Sequence, residues 1–439
     1  MKILVINPCN WYNKGDVSNR LGLIVALKNA FGKDIDISLE STTPNHDGAF
    51  FANYKVRVIS SIFEMHHAYV TRLFLAAKNA LLLIVYLTLY RIGGTALIAT
   101  GKEGVFVKEI ANADLVISAP GGFLGVGNSL TGLLSEMFRI LLSKILMKKP
   151  TIIYAQSLYP VSNRLARLMT RYVLNKLDII ILREEISKHI LANMGVRRRV
   201  LVTADASFSL NPPPVDAKTV SLETPERKLD KPFVGVTVWG GYLESRKTMK
   251  KHQNYVKELA KGIDNLVRQL NATVFILPQT LIPQDIAAMR SVYELVKNKS
   301  AIRLVLEDYS PQDLMDITKR MDLFVATRLH SAIFALVVNV PTVVVAYEHK
   351  ALGVMNMMSL GDWVLDIDDL NAEQFIAKAN SLWRQRFSVK QVIMKQVEFM
   401  RCESLRSALI LNEWYNTMLI SSKRAQHTPS GSKPMARAV

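Results

Sequence analysis

Arg328 and His330 stand two residues apart, where the apolar run Leu323-Phe324-Val325-Ala326-Thr327 hands over to a new apolar pattern of helical spacing. A strand that passes into a helix leaves backbone N–H groups free at the turn, and these favour an anion. Arg328 adds a forked guanidinium suited to phosphate or carboxylate. His330 adds a proton donor that titrates near neutral pH. The pair reads as a site that binds an anionic substrate and protonates it. The structural alternative is a salt-bridged Arg beside a capped His in an ordinary loop.

Four further segments carry residue types that could join this site. Asn13-Lys14-Gly15-Asp16 follows the first apolar run. Gly15 would let the backbone approach closely, and Asp16 could cap a helix, bind a sugar hydroxyl or act as a base. In Pro120-Gly121-Gly122, the adjacent glycines could expose N–H groups to an anion or sugar, or form a plain structural turn. Arg183 closes another apolar run, with Glu184 and Glu185 as ready ion-pair partners. Glu348-His349-Lys350 comes one unit after Arg328 and His330. There Lys350 is a candidate for phosphate or carboxylate, Glu348 lies beside it, and His349 is the weaker histidine candidate.

These segments all fall just after stretches that read as strands. The first series is Lys2–Ile6, Asp114–Ser118, Thr151–Ala155, Asp178–Leu182 and Val200–Val202. Helical patterns separate them, among them Arg20–Phe31, Leu130–Met147 and Asn163–Leu177. The period breaks at Asn211-Pro212-Pro213-Pro214, which opens a polar linker over 211–231. A second series follows: Phe233–Val238, Thr273–Leu277, Ile302–Leu306, Leu323–Thr327 and Thr342–Ala346, again separated by helices. Such alternation predicts two α/β, doubly wound domains of Rossmann type at 1–210 and 232–385. C-terminal helices are expected over 386–420 and a disordered basic tail over 421–439. Ligands of such domains bind beyond the carboxyl ends of the strands, which places the candidates around an interdomain cleft.

Composition narrows the chemistry. The formal net charge is +18. That calls for an acidic partner, such as an anionic membrane surface, a phosphorylated substrate or nucleic acid. No RNP motif, zinc-finger spacing or helix-turn-helix signal is present, so nucleic acid is set aside. Arg164, Arg167 and Arg171 recur at three- and four-residue spacing, which suits a solvated helix face or an anionic lipid surface. Leu73 to Tyr90 is almost wholly apolar but interrupted by Lys78 and Asn79, which favours a core or interfacial helix over a span. With two cysteines and no signal-peptide pattern, a cytoplasmic location is expected, with peripheral attachment to the inner face of the membrane. There is no HExxH, no Cys pair and no cleft DxD motif, so no metal site is expected; nor is there a P-loop or a GxSxG elbow.

Taken together, the order of motifs resembles the polysaccharide pyruvyl transferase family. The residues that carry this are Asn13-x-Gly15-Asp16, Gly121-Gly122, Arg183-Glu184-x-x-Ser187, Asp205 in Thr-Ala-Asp-Ala-Ser-Phe, and Arg328-x-His330 followed by Val340-Pro341 and Lys350. The resemblance implies a GT-B-like fold and transfer of pyruvate from phosphoenolpyruvate to a sugar, as a ketal across two hydroxyls. The acceptor would be a polysaccharide or its lipid-linked precursor, and no cofactor beyond the donor substrate is implied. It also implies that His330 is the acid, that Arg183 and Arg328 hold the donor's anionic groups, and that Asp16 and Gly121-Gly122 shape the other wall. Two rivals stay open at this level. One is a nucleotide-sugar glycosyltransferase of the same fold, with Arg328 and Lys350 on the diphosphate and His330 as base. The other is a non-catalytic scaffold in polysaccharide assembly.

Overall fold

The computed structural model describes residues 1–63, 81–82, 84–94, 101–124, 130–211, 231–241 and 246–427. The first sheet contains β1 (Lys2–Cys9), β2 (Asp36–Ser41), β3 (Val56–Ser60), β4 (Leu115–Ser118), β5 (Gly121–Leu124), β6 (Thr151–Leu158), β7 (Ile180–Leu182) and β8 (Val200–Val202). Their order is β3-β2-β1-β4-β6-β7-β8, with β5 also paired to β6. The second sheet contains β9 (Phe233–Val236), β10 (Thr273–Ile276), β11 (Ile302–Leu304), β12 (Leu323–Ala326), β13 (Thr342–Ala346) and β14 (Val364–Asp366). Its order is β11-β10-β9-β12-β13-β14. The recorded pairings in both sheets are parallel.

Parallel sheets are covered on both faces, and the residue alternation shows it. Ile3, Val5, Leu115 and Ile117 enter one core together with Leu21, Ile24 and Leu27 of helix Lys14–Phe31. Leu4, Ile6, Val116 and Ile153 enter a second core beneath helices Lys102–Asn112, Leu130–Leu141 and Arg164–Leu174. In each sheet the strand order reverses at one point, between β1 and β4 and between β9 and β12. The turn after β1 meets the turn after β10: Lys14 N donates to Gln279 O at 3.1 Å, and Leu281 N to Tyr12 O at 2.9 Å.

Several elements differ from the sequence expectation. The sequence reading lists no strand at 36–41 or 56–60, yet β2 and β3 form one edge of the first sheet. Asp36-Ile37-Ser38-Leu39-Glu40-Ser41 lacks an apolar run, and its Glu40 is fully buried because Arg139 grips the carboxylate through Nε and Nη2 at 2.8–2.9 Å. Gly121-Gly122 belongs to a short strand and not to a free turn. The first helix starts at Lys14, ahead of the expected Arg20, because Asn13 caps it by accepting from Gly15 N at 3.1 Å.

The chain's end is one helix, Ala372–His427. It starts after Asn371, which accepts from Gln374 N, and has no glycine or proline to stop it. It therefore crosses position 385 without a break and continues past 420; 428–439 lie outside the described residues. Asn380 Nδ2 donates to Gln269 Oε1 at 2.6 Å on the second domain, and Asn412 Nδ2 donates to Ala30 O at 2.7 Å on the first. One helix thus straps both sheets. Within the expected apolar helix Leu73–Tyr90, residues 81–82 and 84–90 are helical; 73–80 and 83 lie outside the described residues, as do 212–230 of the linker. Among the described residues no helix is long and apolar enough to cross a membrane.

Candidate functional site

β12 ends at Ala326, and helix Leu329–Val337 begins three residues later with Arg328 as its N-cap. The turn is pinned from below. Thr237 Oγ1 accepts from Thr327 N at 3.2 Å and lies 2.7 Å from Ser331 Oγ. His330 is thereby held at the domain boundary with its side chain 14% exposed. Its Nε2 is 2.9 Å from Asn19 Nδ2 and 3.6 Å from Asp205 Oδ2, both in the first domain. Its Nδ1 edge lies against Gly15, where a Cβ would stand 2.2 Å from Nδ1. Gly15 is where the first domain's backbone makes room for the imidazole, the close approach that the sequence suggested.

Asp205 links His330 to Arg183. Arg183 Nη1 donates to Asp205 Oδ2 at 2.6 Å, and its Nε donates to Ser157 Oγ at 2.8 Å. The guanidinium is buried, and its partner is Asp205, not the neighbouring Glu184 or Glu185. Burial alone would raise the Asp205 carboxyl, but Arg183 and His330 overcome it and hold the acid well below the ordinary carboxylate range. Asp205 is therefore an anion facing His330. Glu184 instead caps helix Glu185–Met194 by accepting from Ser187 N at 2.9 Å.

Gly122 and Tyr159 continue the line. A Cβ on Gly122 would meet Tyr159 Oη at 2.9 Å and Arg183 Nη2 at 3.6 Å. Tyr159 Oη, from the first domain, lies 3.1 Å from Glu348 Oε2 and 3.0 Å from Lys350 Nζ, both from the second. Lys350 and Glu348 also pair directly. Burial pushes the Tyr159 phenol up to about 12, so it stays protonated. Burial would also raise Glu348, yet Lys350 lowers it below its usual range. His349 stacks edge-on against Tyr159, and burial lowers its pKa despite Glu184 at 3.7 Å.

Arg328 is engaged elsewhere. Its Nε and Nη2 donate to both oxygens of Asp285, at 3.0, 2.7 and 2.6 Å. Asp285 also accepts from Gly240 N at 2.7 Å. The sequence suggested that Arg183, Arg328 and Lys350 offer three cations to an anionic substrate. The structure pairs them with Asp205, Asp285 and Glu348, because buried charge must be matched. Arg328 and Lys350 still meet around one ring: they lie 5.9 and 5.7 Å from the Tyr347 centroid. That ring stacks on Trp239 at 4.3 Å.

Helix N-termini also bring backbone N–H groups, which favour an anion, to this boundary. Helices Leu329–Val337 and His349–Met357 both begin at this boundary, and neither N-cap side chain, Arg328 or Glu348, caps its helix. Asn13 is a cap and bridges to Thr280. Asp16 is half-buried in the first turn, where its backbone N donates to Asn13 O at 3.0 Å, and its carboxylate makes no hydrogen bond among the described residues. It is not drawn into the His330 line. Asn19, Ser157, Tyr159 and Asp285 gave no motif signal in the sequence. Asp205 was visible there only as part of a motif, with no role attached.

The site thus has an imidazole backed by an ionised carboxylate, matched cations and two helix N-termini at the junction of two doubly wound sheets. A family model described as polysaccharide pyruvyl transferase matches residues 13–349. The chain belongs to that family. The amylovoran biosynthesis protein AmsJ of Erwinia amylovora is 24% identical over 431 residues, covering 91% of this chain and 96% of that protein. Among solved structures, UDP-GlcNAc 2-epimerase from Neisseria meningitidis bound to UDP-GlcNAc is similar with a TM-score of 0.56 at 12% identity, covering 96% of this chain and 100% of that one. Anabaena HepE in complex with UDP-glucose gives a TM-score of 0.51 at 11% identity, with the same coverage. At such identities the likeness concerns the fold, which is GT-B-like with two Rossmann-type domains.

Proposed function

We propose that this protein transfers pyruvate from phosphoenolpyruvate to a sugar of a polysaccharide or its lipid-linked precursor, leaving a pyruvate ketal. The observation that carries this reading is Asp205 lying between Arg183 and His330, at 2.6 and 3.6 Å. That line places an imidazole, the side chain suited to act as the acid that an enol needs, beside a fixed carboxylate at the domain boundary.

His330 gives its proton to the methylene carbon of the enolpyruvyl group, and positive charge develops at the carbon that bears the phosphate ester. A sugar hydroxyl adds there and gives up its proton. The carbon–oxygen bond to phosphate then breaks, and a second hydroxyl adds to close the ketal. Two hydroxyl protons are released; one restores His330, and the other leaves with inorganic phosphate. Arg183 acts by keeping Asp205 ionised and placed. The donor's two anionic groups lie against the N-termini of helices Leu329–Val337 and His349–Met357, with Arg328 and Lys350 beside them.

The test is product analysis with purified protein and a matching glycan. Phosphate release that requires both phosphoenolpyruvate and glycan supports the proposal. Nucleotide release from a nucleotide sugar, with phosphoenolpyruvate inert, overturns it.

A further inference from the structure

One face of the first domain carries apolar side chains that no core receives. Helix Arg164–Leu174 buries Ala166, Thr170, Val173 and Leu174 against the sheet. Its other side shows Leu165, Leu168, Met169 and Tyr172, a second stripe at helical spacing, with Leu165 68% and Leu168 60% exposed. Residues 81–82 and 84–94 repeat the arrangement. Leu87 is buried in the same core as Ala166 and Val173. Leu81, Ile84, Val85 and Ile92 point outward, Ile92 being 75% exposed. Two helices over one core therefore each present a core stripe and an outer apolar stripe. An exposed apolar face of this kind marks an interaction surface.

Charge says what covers it. Arg164, Arg167 and Arg171 run along the same helix, which has no acidic residue, and Arg91 lies in the other stretch. Asp178, the acid nearest the helix's end, is already held by Lys144 at 2.6 Å. Apolar stripes flanked by arginines, on a chain of net charge +18, fit an anionic bilayer surface. No described helix is long and apolar enough to cross it, so the contact is one of lying on the surface. Position also fits. Tyr159, which touches Lys350 across the domain boundary, precedes Arg164 by five residues. The start of the helix is thus tethered close to the cleft.

We infer that the face formed by helix Arg164–Leu174 and residues 81–82 and 84–94 docks on an anionic lipid bilayer, presenting a lipid-linked acceptor to the cleft. The acceptor half of this statement rests on the proposed function; the docking half does not.

The experiment is co-sedimentation of the full chain with two kinds of vesicle, phosphatidylcholine alone and phosphatidylcholine mixed with phosphatidylglycerol. Three proteins are compared: the unaltered chain, Leu165→Ser with Leu168→Ser, and Arg164→Gln with Arg167→Gln. All four positions are exposed, and circular dichroism checks that the fold is kept. Binding is expected for the mixed vesicles and to be much weaker for the neutral ones. The arginine variant should bind the mixed vesicles about 25-fold less well, roughly fivefold per charge removed. The leucine variant should lose at least as much. Absence of binding, equal binding to both vesicles, or indifference to both variants overturns the inference. So does a dimer of the unaltered chain that the leucine variant dissolves, because a second copy would then cover the face. Turnover of a lipid-free glycan reports the proposed chemistry separately. Vesicle binding without turnover sinks the chemistry alone, and turnover without vesicle binding sinks the surface alone.

Discussion

Asp205 Oδ2 lies 3.6 Å from His330 Nε2, and the two residues come from different domains. The acid of the proposed reaction is in one domain, and the carboxylate beside it is in the other. The pair is complete only while the domains are closed.

Replacing His330 with Gln should remove turnover while leaving the fold intact. The loss expected for a general acid is about 10²–10⁴-fold. It should appear in kcat, measured as phosphate release at saturating phosphoenolpyruvate, with the melting temperature changed little.

Asp205→Asn separates positioning from packing. The amide keeps the shape but removes the negative charge beside His330. The kcat for phosphate release should fall even at a temperature where the variant is fully folded. Stability should fall too, by about 3–5 kcal/mol, because Arg183 is left buried without a matching charge. An unchanged kcat in the folded variant would show that Asp205 acts on structure alone.

Gly15→Ala tests a close approach of the two domains. In an ordinary helix this change is favourable by about 1 kcal/mol. Here the new Cβ would stand 2.2 Å from His330 Nδ1, so activity should collapse. Combining it with His330→Ala should recover much of any lost thermal stability. A double-mutant cycle gives the coupling, expected at about 1–3 kcal/mol.

Arg328→Lys keeps the charge and loses the fork. Because Arg328 grips both oxygens of Asp285, the single ammonium of Lys cannot replace it. Phosphate release should fall by roughly 10-fold or more, and Asp285→Asn should lower it similarly. If Asp285→Asn instead tightened phosphoenolpyruvate binding, Arg328 would be a donor-binding cation that Asp285 restrains.

Acid should loosen the molecule in a defined window. Asp205 and Glu348 both have lowered pKa values in the folded protein. A lowered carboxylate contributes stability that is present above its unfolded value and is lost as pH falls through the folded one. Urea midpoints should therefore hold from neutral pH down to about 4.5, the ordinary Glu value, and fall below it. Glu348→Gln with Lys350→Met should flatten part of that fall.

The sequence alone settled what depends on neighbours in the chain. Apolar runs that end in turn residues became β1, β4, β6, β9, β10, β12 and β13. The Thr327-Arg328-Leu329-His330 handover from strand to helix was legible for the same reason: strand, cap and helix start are all local. Alternation of strand and helix then dictated parallel sheets. What escaped was set by distant partners. Strand β2, beside edge strand β3, has no apolar run and depends on Arg139, 99 residues away, to bury Glu40. The C-terminal helix is unbroken because neither glycine nor proline stops it, yet its role as a strap depends on both domains.

The site divides along the same line. Residue types marked Arg183, Arg328, His330 and Lys350 as chemically active. Only the tertiary structure decided what each one faces. Asp285 reaches Arg328 across 43 positions, and Asn19 reaches His330 across 311. A charge in the chain has no partner until folding removes the water around it and makes an unmatched ion costly. At that point the nearest carboxylate in space, whatever its place in the sequence, decides whether a cation is held or offered.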